Sequence, residues 1–209
     1  MKLPSVVGTL FVPDRALPET VAAGRYGAAL VCCTLAALLA ALLIGRRLDV
    51  SQTVDGMNDG VAKTEREFDD SVAKAKTVAQ VTMALGAAFG TPAHLLLLAI
   101  GLYLVGRYVG GKPTFRRSLA LASHMSLPLA VKSLFAATVA LRTLRIVPSE
   151  IPSLAPLAGR LLDPYWLWAA ILCALGWSAA ADMSRRRAVF ATGYCLVILV
   201  AVSSLGGST

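Results

Sequence analysis

Five apolar stretches occupy most of this 209-residue chain, and charged positions lie almost entirely between them. The first stretch runs from Tyr26 to Ile44 without a charged residue. Because a helix rises about 1.5 Å per residue, about 20 apolar residues cross a hydrocarbon core of about 30 Å. The pattern predicts an all-α membrane protein built as a five-span transmembrane helical bundle. The expected spans are roughly 26–44, 82–106, 117–141, 164–181 and 188–205.

The first 25 residues differ from the rest because they combine loose apolar and polar alternation with Pro4, Pro13 and Pro18. We expect residues 1–25 to form an N-terminal cytoplasmic or interfacial segment that is extended or contains one short helix. The first apolar stretch begins too late for a signal peptide and lacks a small-residue cleavage site, so we expect it to stay in the mature protein. Residues 26–209 then form one five-span membrane domain.

The connection at 46–80 is the one sizeable polar segment between the apolar stretches. Thr64-x-x-Glu67 has the pattern of a capping box. Apolar residues at helical spacing follow, which predicts an amphipathic helical insert running into the second span. Two interpretations stay open: a solvated connecting helix, or an element that docks a second protein. The candidate docking residues are Phe68, Val72 and Ala75.

The orientation in the membrane rests on where the basic residues lie. Lysine and arginine divide almost equally between the two sides, but Lys112, Arg116 and the triplet 185–187 occupy very short loops. Basic residues in short loops are the ones that favour the cytoplasmic side. We therefore predict a cytoplasmic N-terminus and an exterior C-terminus. Arg46 and Arg47, directly after the first span, argue against this orientation.

Composition supports a membrane protein, since 56% of residues are hydrophobic and 15% are charged, against about 25% charged in an ordinary soluble domain. The net charge of +8 is divided among short membrane-flanking loops. That distribution favours attraction to anionic lipid headgroups over binding of nucleic acid. The four cysteines lie inside apolar stretches without a CxxC pair, so we expect packing residues and neither a metal site nor a cofactor.

Two glycine motifs need separate interpretation. Gly106-x-x-x-x-Gly111-Lys112 matches part of a phosphate-binding loop, but Pro113 replaces the magnesium-binding Ser or Thr and no strand precedes it. A glycine-rich exit from a membrane helix explains this stretch better. Gly86-x-x-x-Gly90 places two glycines one turn apart, which lets another helix approach closely. This helix packing occurs either within the bundle or between two copies.

Polar residues inside apolar spans are costly in hydrocarbon and mark candidate sites. His94 lies in the second span, and His124 and Lys132 lie in the third. His94 and Lys132 are at similar depth, which allows a shared wet cavity beside a kink at Pro92. Asp163 is a candidate partner for Lys132 if the lysine extends outwards. The intramembrane residues thus form either a substrate, lipid-headgroup or proton site, or structural contacts with a snorkelling lysine. We find no catalytic motif: HExxH, GxSxG and paired intramembrane acids are absent from the sequence.

Two further stretches carry a family resemblance. "LLLLAIGLYLVGRYVGGKPTFRRSLALASHMSLPLAV" is an apolar span, a glycine-lysine turn and a new span with a central proline, and "LLDPYWLWAAILCALGWSAAADMSRRRAVFATGY" opens a span with Asp163-Pro164 and closes it with an arginine-rich loop. With the five-span count, these patterns resemble the Yip family over about half the chain. The resemblance implies an all-helical five-span bundle with a cytoplasmic N-terminus. Eukaryotic members bind Rab-type GTPases and partner membrane proteins in vesicle traffic, and some bacterial members accompany ABC-type exporters.

The alanine-rich composition and the preference for arginine over lysine are typical of a bacterium with a GC-rich genome, and the chain lacks the DLYGP motif of eukaryotic members. We therefore expect a non-enzymatic accessory or scaffold subunit of a larger complex in a bacterial inner membrane. Its partners would be membrane lipids and other membrane protein subunits, an ABC-type exporter among them, and not nucleic acid. The alternative is a small transporter or lipid-handling protein that uses His94 and Lys132.

Overall fold

A computed structural model of the protein describes residues 5–57, 64–142 and 163–205. The described residues form helices and connecting turns, with no strand among them. A π-helical segment at Gly86–Gly90 joins two of the helices. The helices are α1 Ser5–Phe11, α2 Pro13–Ala22, α3 Gly27–Arg47, α4 Ser51–Met57, α5 Glu65–Leu85, α6 Thr91–Tyr108, α7 Phe115–Met125, α8 Leu127–Arg142, α9 Pro164–Ala181 and α10 Arg185–Leu205.

Four helical stretches of the described chain are long and apolar enough to cross a membrane. They are Gly27–Arg47, Glu65–Tyr108, Phe115–Val139 and Pro164–Ala181, and they coincide with the first four predicted spans. The protein is therefore an all-helical, multi-pass membrane protein. The fifth predicted span, 188–205, falls on α10, which has 21 residues but is not among these four, so the five-span count stays a prediction.

The N-terminal segment forms two helices, where we expected an extended chain or one short helix. Pro13 stands at the start of α2, a position that needs no backbone N–H and suits its fixed φ. Leu17 and Val21 are fully buried on one face of α2, which packs against α7 and α9. A Cβ on Gly176 of α9 would lie 3.2 Å from Leu17 Cδ2 and 2.5 Å from Leu121 Cδ1. The missing side chain at Gly176 is thus what admits both leucines.

Two arginines at the start of α7 hold the end of α2. Arg116 Nε donates to the Gly24 carbonyl at 3.2 Å, and Arg117 Nε donates to the Ala22 carbonyl at 3.2 Å. The last carbonyls of a helix have no intrahelical partner and carry partial negative charge. Arg117 satisfies the carbonyl of Ala22, the last residue of α2, and Arg116 binds the carbonyl of Gly24 in the turn that follows. The two arginines thus hold the end of α2 against α7.

The connection after the first span contains helix α5, whereas the predicted amphipathic character of this helix stays a prediction. Thr64 and Glu67 form the capping box at the start of α5: the Thr64 side chain accepts from the Glu67 backbone N–H, and the Glu67 carboxylate accepts from the Thr64 N–H at 3.0 Å. Helix α5 continues through the π-helical segment into α6, so that 44 residues form one stretch about 65 Å long. Pro92, near the start of α6, lacks the N–H that an uninterrupted α-helix would use.

The Gly106–Lys112 stretch is a helix C-terminus, as the sequence indicated. Gly110 has φ +83°, the Gly110 N–H donates to the Arg107 carbonyl, and the Gly111 N–H donates to the Gly106 carbonyl. This pair of bonds is a Schellman motif ending α6. The Lys112 N–H then donates to the Ala181 carbonyl at 2.7 Å, which joins the turn to the end of α9.

Candidate functional site

Lys132 on α8 forms a salt bridge with Asp163, the residue that precedes α9. The lysine side chain is 44% exposed and the aspartate side chain 14% exposed. Asp163 Oδ1 also accepts from the Tyr165 backbone N–H at 2.9 Å, so the carboxylate caps α9. The hydrogen bond from Lys132 lowers the pKa of Asp163, and burial raises it. The hydrogen bond has the larger effect, so the pKa of Asp163 lies below its ordinary value. Lys132 therefore extends towards Asp163. Under this condition the sequence predicted that the two residues are partners.

His94 lies elsewhere, exposed on the surface of α6. Within the described residues, the structure records no hydrogen bond or ion pair between His94 and Lys132. His124, by contrast, is fully buried on α7. Its Nδ1 lies 2.8 Å from the Ala120 carbonyl oxygen, and the described residues offer no hydrogen-bond partner to its Nε2. The three polar residues that the sequence singled out thus occupy three different environments.

Gly86 and Gly90 bound the π-helical segment and are both exposed. A Cβ added to either residue would meet no atom of the described chain within 4 Å. The Cβ positions of both glycines therefore point away from the bundle. Farther along α6, Gly101 is open in the same way.

These glycines belong to an outward face of the continuous helix α5–α6 that is otherwise apolar. We call it the outward face, and we define it by Gly86, Gly90, His94, Gly101 and the exposed side chains of Val81, Leu85, Phe89, Leu97, Ile100, Leu104 and Tyr108. Phe89 is 72% exposed and Leu97 is 68% exposed. His94 lies in the middle of this surface, and Tyr108, which stacks on Tyr194 of α10, adds a hydroxyl group at its end.

The candidate docking residues Phe68, Val72 and Ala75 are half-buried along one side of α5. Helix α5 packs against α3 and α4. This side of α5 is therefore partly covered by the chain's own helices. Whether the remaining exposed part docks a second protein stays a prediction.

A cavity of about 340 Å³ lies where the end of α3 approaches α5. Gln80 Nε2 donates to the Gly45 carbonyl at 3.0 Å, and a Cβ on Gly45 would lie 3.2 Å from Gln80 Cγ. This close approach places the preceding turns of α5 beside the end of α3. The cavity, which we call the basic cavity, is lined by Arg46, Arg47, Leu48, Asp49, Val50, Val72 and Lys76.

The basic cavity was not predicted from the sequence, although the sequence contains two signals for it. Arg46 and Arg47 stand directly after the first span, and Val72, Lys76 and Gln80 recur at a spacing of four. Residues four apart lie on one face of a helix. The packing of α5 against α3, which includes the contact between Gly45 and Gln80, turns that face towards the arginines, and this contact joins residues 35 positions apart.

Comparison with known proteins adds the family. No curated protein and no solved structure matches the chain. The model of the Yip1 domain matches residues 7–205, which includes α2, the long α5–α6 helix and the loops on which the resemblance was based. The chain therefore belongs to the Yip1 domain family.

Proposed function

We propose that this protein is a non-enzymatic scaffold or accessory subunit that docks another membrane protein through the outward face of α5–α6. The family and the apolar helices support a multi-pass membrane protein; its docking function is what we propose here. The partner we expect is a membrane subunit of a larger complex, such as an ABC-type exporter in a bacterial inner membrane.

The observation that carries the proposal is the combination of open glycines and an exposed histidine on one apolar face. In lipid, hydrophobicity does not drive helices together, so close association depends on small residues and on polar contacts. Gly86 and Gly90 leave room for a neighbouring helix. His94, exposed among apolar side chains, would be costly in hydrocarbon and gains from a partner that offers a hydrogen bond.

The alternative, a small transporter or lipid-handling protein, needs His94 and Lys132 to act on one ligand. Lys132 is instead engaged by Asp163, and His94 lies on the outward face. The polar residues thus support a docking function better than a transport pathway between α6 and α8.

The test combines a photoreactive residue with a helix-filling substitution in the full-length protein. A photoreactive group at Leu97 should give one crosslinked product with a membrane protein in intact cells. The same group at Leu167 of α9, which is also exposed at 51%, serves as the position control. Mass spectrometry of the product identifies the partner.

Gly90→Ile should abolish the Leu97 crosslink, because the new side chain occupies the space that a neighbouring helix would use. Gly193→Ile is the matched control, since Gly193 on α10 is also open within 4 Å. His94→Leu should weaken the crosslink without changing expression. Equal crosslinking from Leu97 and Leu167, or a Leu97 crosslink that survives Gly90→Ile, would contradict the proposal.

A further inference from the structure

The basic cavity lies at the depth where a bilayer carries its headgroups. Arg46 and Arg47 form the last turn of α3, the first candidate span. Lys76 stands six residues before the predicted start of the second span, about 9 Å along the helix. The polar headgroup layer extends about 5–8 Å beyond the hydrocarbon core on each side. Arg46 and Arg47 therefore lie in the layer that contains lipid phosphates. Lys76 lies just beyond the outer limit of that layer, within reach of its long, flexible side chain.

The charges lining the basic cavity favour an anion. Three cationic side chains, Arg46, Arg47 and Lys76, face one carboxylate, Asp49. Asp49 Oδ1 accepts from the Ser51 backbone N–H at 3.0 Å, which directs that oxygen to the start of α4. Among the described residues, the recorded salt bridge is the one between Lys132 and Asp163, so none is recorded for the three cations. Arginine presents paired donors that match the oxygens of a phosphate.

The size and the apolar wall of the basic cavity favour a ligand larger than an isolated ion. Its volume of about 340 Å³ is at the lower end of the roughly 300–1,000 Å³ found for small-molecule sites. Leu48 and Val50 are buried at 5% and 6% exposure, and Val72 is half-buried. A headgroup with its glycerol backbone presents both a charged and an apolar part to such a wall.

We propose that the basic cavity is a binding site for a phosphodiester group, the headgroup of an anionic phospholipid such as phosphatidylglycerol. The arginines and Lys76 hold the phosphate oxygens, and Val72 limits the volume available to the glycerol. The acyl chains lie along the exposed apolar surface of the neighbouring spans. This site is separate from the outward face, which lies on other residues of α5–α6.

The test measures lipid retained by the full-length protein. The protein is taken from nanodiscs of mixed phosphatidylglycerol and phosphatidylcholine into mild detergent, and native mass spectrometry counts the lipids that remain bound. Lys76→Gln should lower retained phosphatidylglycerol about five-fold, the effect expected for one cation near a lipid phosphate. Lys74→Gln is the matched control, because Lys74 lies on the same helix and does not line the cavity.

A second pair of variants separates cavity volume from charge. Val72→Trp should fill the cavity and abolish retention while leaving every cation in place. Val78→Trp is its control, since Val78 is 65% exposed on the same helix and is not part of the cavity wall. Size-exclusion chromatography checks that each variant is monodisperse. If Val72→Trp does not fold, the comparison of Lys76→Gln with Lys74→Gln decides whether the cavity binds the lipid.

Three outcomes would overturn the site. Equal losses in Lys76→Gln and Lys74→Gln would show general attraction of basic helices to anionic lipid. Unchanged retention in Lys76→Gln would show that the cavity does not select the phosphate. The third outcome comes from a separate experiment, in which glycerol 1-phosphate is added to lipid-free protein. If it raises the thermal stability as much as phosphatidylglycerol does, the ligand is a soluble phosphate ester and not a lipid.

Discussion

Lys132 illustrates how far a residue's depth in a membrane helix can be predicted, and where that prediction stops. Counting residues placed His94 and Lys132 at similar depth, which is a matter of helical rise alone. Their rotation about the helix axes depends on which neighbours each helix packs against. Helix α8 turns Lys132 to Asp163, whereas His94 faces outward on α6. The shared cavity therefore stays a hypothesis that the described contacts do not support.

The first prediction concerns the Lys132–Asp163 pair. Lys132→Leu should lower the free energy of unfolding by about 1 kcal/mol, because Asp163 loses a partner while remaining mostly buried. Asp163→Asn should cost less, since asparagine still accepts from the Tyr165 N–H and caps α9. The double variant should show a smaller loss than the sum of the two. Thermal unfolding in detergent measures all four proteins.

The pH dependence gives an independent check on this pair. The folded pKa of Asp163 lies below its ordinary value of 3.8, so its stabilising effect is complete above that value and is lost as the pH falls through the folded pKa. The wild type should lose more stability than Asp163→Asn on acidification below about pH 4. Additive effects in the double variant and identical acid profiles would show that the pair contributes nothing.

At the scale of elements, local signals predicted helix boundaries well and packing partners poorly. Asp163-Pro164 marked the start of α9, and the capping box marked the start of α5, because caps act within one turn. Helix α2 was not anticipated as part of the core. Its buried face requires Gly176, about 160 residues away in sequence, to admit Leu17. The apolar periodicity of a ten-residue segment therefore does not predict which distant helix the segment packs against.

The second prediction concerns how α2 is held. Arg116→Gln combined with Arg117→Gln removes the guanidinium donors from the Gly24 and Ala22 carbonyls. We expect α2 to open about five-fold more often, which corresponds to about 1 kcal/mol of lost hydrogen bonding. Hydrogen–deuterium exchange over residues 13–22 measures the opening.

Arg185→Gln combined with Arg186→Gln is the control, because it removes the same charge from the first turn of α10, where both arginines are exposed. Exchange in α2 should not change in this control. An equal increase in both double variants would assign the effect to net charge and contradict the capping role of Arg116 and Arg117.

At the scale of the whole molecule, the number of spans and their orientation decide which side of the membrane each site faces. Four helical stretches of the described chain are long and apolar enough to span the membrane, and α10 is the element on which a fifth span depends. Arg46 and Arg47, which opposed the predicted orientation, line the basic cavity. A role in binding lipid phosphate would explain an arginine pair on the exterior side, where the positive-inside rule disfavours it.

The third prediction tests this topology directly. With five spans and a cytoplasmic N-terminus, Ser184→Cys lies on the cytoplasmic side and Ser208→Cys lies outside, because the basic triplet 185–187 at the start of α10 favours the cytoplasm. A membrane-impermeant maleimide added to intact cells should label Ser208→Cys alone, and permeabilised cells should allow labelling of both. The parent protein is the control for its four native cysteines, which lie in apolar stretches. Labelling of both variants in intact cells would mean that α10 does not cross the membrane, and labelling of Ser184→Cys alone would invert the orientation and place the basic cavity on the cytoplasmic side.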